Sequence, residues 1–224
     1  MKLRNAILSG LMFGLAHGMA ANAEPTKGYY TMDAMGCMLL RECTKDVEEV
    51  YSLLDISANY PNTEEFTPHA LEFNNMLTAL HQVGVKVYLA DERYFPKMHR
   101  GVYHTVSNHF YLNRSFVHRP HTLMSVVRHE GWHAAQDCMG GTIKNTIIAI
   151  IKPEEDVPEI WQSLVERTYP KASWPWEKEA TWAGKTEGMT MQALKACANG
   201  PMWNVYEPTP LTKEYLVNEG FIKQ

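Results

Sequence analysis

The chain has 224 residues, 45% of them hydrophobic and 21% charged, with 21 basic against 25 acidic side chains and a net charge of −4. That length suits one domain with a sizeable core, and an acidic balance with no basic patch argues against a nucleic-acid partner. Beyond the first two dozen residues, no apolar run approaches the roughly 20 residues needed to cross a bilayer.

Lys2 and Arg4, the uncharged apolar stretch 6–20 and the small-x-small Ala21-Asn22-Ala23 read as a signal peptide over residues 1–23, cleaved after Ala23. Residues 24–224 are then a single exported domain, secreted or periplasmic, with no stable membrane anchor. Cys37, Cys43, Cys138 and Cys197 are an even set in an oxidising compartment, and no C-x-x-C pair exists. Two disulfides are therefore favoured over zinc-bound thiolates. Three pairings are open; the nearest reading is Cys37–Cys43 as a local loop and Cys138–Cys197 as a long-range staple.

Residues 24–44, with Pro25, Gly28 and Gly36, read as irregular. Thr44 caps an expected helix over 45–57, where Val47, Val50, Tyr51, Leu54 and Ile56 have helical spacing. Thr67-Pro68 starts another, running to Gln82 and ended by Gly84. Residues 85–89 alternate in part and are β-branched, which predicts a strand; 102–106 and 109–112 are similarly rich in aromatic and β-branched residues. Pro120 and Thr122 introduce a helix over 122–139, stopped by Gly140-Gly141. Further helices are expected over 155–168, from Ser173-Trp174-Pro175 toward Ala198 (weakened at Gly184 and Gly188), and near 211–218. This order predicts an α+β fold, mostly helical, with a small sheet packed against the 122–139 helix.

That helix carries His129-Glu130-Gly131-Trp132-His133. Histidines four apart stack on one helix face, a turn apart, and can share a zinc ion. Glu130 projects about 100° away, within reach of a water on the metal without being a ligand. Composition alone would produce the pattern roughly four times in a hundred, so its place on a well-bounded helix carries the weight.

A catalytic zinc takes three protein ligands and keeps a fourth position open. The metzincin pattern is excluded, because Met139 stands where its third histidine belongs and Gln136 replaces its glycine. Asn145 likewise argues against an aspartate-type zincin. A glutamate on a later helix remains, and Trp176-Glu177-Lys178-Glu179-Ala180-Thr181 resembles the second site helix of minimal gluzincin metallopeptidases. The resemblance, over roughly residues 85–185, implies a zincin-like domain with Glu177 as the third ligand and the residue four further on orienting a histidine. Here that residue is Thr181 rather than Asp or Asn. Glu179 therefore stays open as an alternative ligand, with Glu154, Glu155 and Glu159 behind it.

The reading that follows is an exported zinc-dependent metallopeptidase acting on a peptide or protein substrate, with His129, His133 and Glu177 on Zn2+. Glu130 would take a proton from the metal-activated water and pass it to the leaving amine. The alternative is an exported zinc-binding protein without turnover. Oligomeric state is not read from the sequence. Weaker candidates are Tyr103, Tyr169 and Tyr206 as oxyanion donors, Gln136 or Asp137 behind the histidines, and His109 and Tyr111 on a strand at the sheet edge over the site, where a peptide would add. His99, His104, His118 and His121 read mainly as surface histidines. Trp161, Trp174, Trp176 and Trp182 read as core packing. The cysteine pairing meets a geometric difficulty: an unbroken helix would carry Cys197 about 30 Å from Glu177. Cys138–Cys197 requires a turn at Gly184 or Gly188.

Overall fold

The computed structural model describes residues 32–141, 143 and 147–223, so the expected leader and its cleavage after Ala23 lie outside it. The described chain opens with helix α1 (Met32–Leu39), strand β1 (Val47–Glu49) and helix α2 (Leu53–Ser57). The single helix expected over 45–57 is thus a strand and a short helix. The Val50 amide donates to the Val87 carbonyl (2.8 Å), and the Ser52 amide is received by the Asp55 carboxylate (2.8 Å), which starts α2. Helical spacing in that stretch is an accident of two adjacent patterns, and residues 32–39 are helical where the sequence reads as irregular.

Helix α3 (Ala70–Gln82) follows a 3₁₀ stretch that contains Pro68, and Gly84 reverses the chain at φ +90°. Strands β2 (Lys86–Ala90), β3 (Gly101–His104) and β4 (His109–Asn113) complete a mixed sheet in the order β1-β2-β4-β3. β2 and β4 are parallel, and β1–β2 and β3–β4 are antiparallel. Alternation sorts the inner strands between two cores. Val87, Leu89, Phe110 and Leu112 join the main core, while Tyr88, Ala90 and Tyr111 face a smaller one with Met38 and Cys43.

The 20-residue helix α4 (Pro120–Met139) is the axis of the main core. Pro120 sits in its first turn, where no amide partner is needed, and Arg119 before it is extended. From Ala134 to Gly140 every residue is buried, and Trp132 has no exposed surface. α5 (Glu159–Thr168), α6 (Trp174–Lys185), α7 (Met189–Ala198) and α8 (Pro210–Asn218) follow. The architecture is the expected α+β, with the sheet set against α4 through β3.

The break between α6 and α7 falls at Gly188, which adopts φ +80°. That turn resolves the cysteine problem. Cys138 pairs with Cys197 (Cα–Cα 5.8 Å) and Cys37 with Cys43 (5.2 Å). Gly184 has a different task. A Cβ there would lie 3.0 Å from the Ser125 carbonyl oxygen and 3.1 Å from the His129 Cβ, so glycine is what lets α6 lie closely on α4. Trp161, Trp174, Trp176 and Trp182 are only half-buried; Trp132 is the core tryptophan.

Candidate metal centre

His129 and His133 leave the same face of α4, with ring centroids 4.9 Å apart and planes nearly perpendicular. Opposite them α6 presents Glu177. His129 Nε2 lies 3.2 Å from Glu177 Oε2, and His133 Nε2 lies 3.7 Å from Glu177 Oε1. One ligand atom from each of the three residues falls within 4.8 Å of the others. A tetrahedral ion with bonds of about 2.0–2.1 Å spaces its ligand atoms about 3.4 Å apart, so the group can hold a metal ion with little movement. Among the described residues it is the one group of three or more His, Cys, Asp or Glu with such spacing.

The tautomer of His133 can be read from its neighbours. Its Nδ1 is 2.6 Å from Gln136 Oε1. The amide orientation of Gln136 is fixed because its Nε2 donates to the Trp176 carbonyl (3.1 Å) and to Glu179 Oε1. Gln136 therefore offers an oxygen to the ring, which donates to it from Nδ1 and turns Nε2 toward Glu177. Gln136 fills the orienting place that the resemblance assigns to Thr181.

Glu179 is fully buried but turned away from the histidines. It accepts from the Ile151 amide (3.1 Å) and the Lys152 amide (2.6 Å) as well as from Gln136. Burial pushes its carboxyl up to about 7 against the pull of these donors. The open choice between Glu177 and Glu179 thus has a geometric answer: Glu177 reaches both imidazoles, and Glu179 anchors the group that orients one of them. Glu154 is instead paired with Lys178.

Burial disfavours the charge on Glu177, but His133, His129 and the Tyr169 hydroxyl outweigh it and hold its pKa below the usual carboxylate value. Of the three candidate tyrosines, Tyr169 is the one whose hydroxyl bears on the Glu177 carboxylate. Tyr103 donates to Asp137 Oδ2 (2.8 Å), and the Tyr206 ring lies under Lys152 Nζ (5.4 Å). Asp137 serves Tyr103, not a histidine.

Glu130 is buried between α4 and β3. Its Oε2 accepts from the Tyr103 amide (2.9 Å), and its Cγ lies 3.1 Å from where a Cβ on Gly101 would be. Burial raises its carboxyl to about 7, opposed by His133 and helped by Glu177. The edge strand on this side is β3. β4, with His109 and Tyr111, is an inner strand, and His109 is buried against Tyr88 on the far face of the sheet. The expectation that a peptide adds beside His109 therefore fails. His104 bonds Ser107, and His99, His118 and His121 are exposed.

No protein family, curated protein or solved structure matches the chain.

Proposed function

We propose that the protein is an exported zinc metallopeptidase of the gluzincin kind, hydrolysing peptide bonds in a peptide or protein substrate. The observation that carries this reading is the convergence of His129, His133 and Glu177 with a buried Glu130 beside them. Two imidazoles and a carboxylate suit zinc, and three protein ligands are the catalytic number. A zinc ion held there supplies Lewis acidity to a scissile carbonyl and an attacking water. Glu130 takes the proton of the water and delivers it to the departing amine. With Glu177 on the metal, the Tyr169 hydroxyl is released from that carboxylate and donates to the oxygen that becomes negative. Gln136 holds His133 in one orientation throughout, so no reorganisation is needed during the reaction. Two disulfides fit an oxidising compartment, and no described helix is long and apolar enough to cross a membrane.

The experiment is hydrolysis of an unfolded generic protein by the zinc-loaded chain, repeated with a chelator and with Glu130→Gln. The reading expects cleavage that the chelator abolishes and zinc restores, and that falls by about 10²–10⁴ in the variant. A second reading, a zinc-binding protein without turnover, is favoured by one contact: the Tyr103 amide gives Glu130 a structural partner. Stoichiometric zinc with no cleavage of any substrate would establish it instead.

A further inference from the structure

Helix α5 turns aliphatic side chains outward. Val165 is its one buried residue. The inner face around it is occupied: Glu166 accepts from the Lys178 ammonium (2.7 Å), and Gln162 Nε2 donates to the Val157 and Glu154 carbonyls (2.8 and 3.1 Å). At about 100° per residue, the opposite face presents Ile160, Ser163, Leu164 and Arg167, with Glu159 on its flank. Ile160 is 67% exposed and Leu164 42%. A hollow of about 570 Å³ lies along this face, bounded among the described residues by these five and Trp161. One exposed aliphatic side chain is ordinary, but two stacked a turn apart on one helix make a stripe that association would bury.

The charges on the stripe identify its partner. Glu159 and Arg167 are exposed, and among the described residues neither has an ion-pair partner. They stand four residues to either side of Ser163, about 6 Å each way along the helix axis. A second copy of α5, laid antiparallel across a two-fold axis through Ser163, brings Glu159 of one chain opposite Arg167 of the other, twice. Ile160 and Leu164 of both chains lie between those two ion pairs. The small Ser163 side chain at the axis lets the helices approach to the usual separation of about 8–10 Å. Laid parallel, the same helices would set like charge against like. The face thus complements itself, as an isologous dimer contact must.

From this arrangement we infer that the outer face of α5 is the contact surface of a homodimer, paired antiparallel about Ser163. The inference depends neither on a bound metal nor on peptidase activity.

Sedimentation velocity of the purified chain over about 1–200 μM tests it, and a monomer–dimer equilibrium is expected. Ile160→Asp, Glu159→Arg and Arg167→Glu, each still folded by circular dichroism, should weaken the dimer by at least about tenfold. The two charge-reversed chains are the sharper probe. Neither should pair with itself, but an equimolar mixture restores both Glu–Arg contacts and should dimerise about as tightly as wild type. A chain that stays monomeric throughout the range overturns the inference and leaves the face to a different protein. A dimer that survives Ile160→Asp, or a mixture of the reversed chains that stays monomeric, overturns it equally.

Discussion

The Nδ1 atom of His133 lies 2.6 Å from Oε1 of Gln136, and this contact decides which ring nitrogen is left for a metal. Because Gln136 is itself held by Trp176 and Glu179, the orientation passes from buried backbone amides at Ile151 and Lys152, through two side chains, to the imidazole. Gln136→Leu should keep the fold but lower zinc affinity by about 10–100-fold, the usual cost of losing an orienting partner. It should also destabilise by about 1–3 kcal/mol, since Glu179 loses a donor. Competition with a chromogenic chelator measures the first effect and urea unfolding the second. Unchanged zinc affinity would remove Gln136 from the site.

Gly184 sets the distance between the two helices that carry the ligands. Gly184→Val would press a branched side chain on the Ser125 carbonyl and the His129 Cβ. The expected result is a loss of about 1–3 kcal/mol of stability, as for other overpacked contacts. Zinc binding should weaken by at least about tenfold as Glu177 moves away from the histidines. Calorimetric zinc titration of the folded variant checks it.

The Cys138–Cys197 bond joins α4 to α7 across 59 positions, while Cys37–Cys43 closes only six. On the loop-entropy account, removing the first costs about 4 kcal/mol and the second about 2 kcal/mol. Cys138→Ser/Cys197→Ser should therefore lower the melting temperature roughly twice as far as Cys37→Ser/Cys43→Ser. Scanning calorimetry of the two double variants decides it.

Asp137 provides the pH prediction. Burial, partly offset by the Tyr103 hydrogen bond, raises its carboxyl from 3.8 to about 7. A carboxyl whose pKa is higher folded than unfolded contributes stability below pH 4, and that contribution is lost as pH rises through 7. Asp137→Asn should abolish this part of the decline. Urea midpoints at pH 4.5 and 7.5, compared between wild type and variant, show whether the slope has gone.

The α4 motif and its bounds were legible because they depend on local chemistry: proline at the first turn, glycines at the end and histidines one turn apart. Glu177 was legible as the third ligand only through the resemblance, because choosing it over Glu179 from the residues alone depends on how α6 rotates against α4. The close contact at Gly184 fixes that rotation, and sequence shows Gly184 merely as a poor helix residue. Gln136 was visible as a neighbour of His133, yet its role depends on Glu179 and on the chain at 151–152. β1 and α1 went unread since a three-residue strand and an eight-residue helix draw their stability from the sheet and the smaller core. β4 was read as an edge because its inner position comes from a parallel pairing with β2 that no local pattern encodes.

The central claim is that His129, His133 and Glu177 together hold zinc, and zinc titration of three proteins tests it most directly. Wild type and Glu130→Gln should each bind one zinc per chain with similar affinity, whereas Glu177→Gln should bind at least about 100-fold more weakly. A Glu177→Gln chain that binds zinc as tightly as wild type, or a wild-type chain that binds none, would contradict the account.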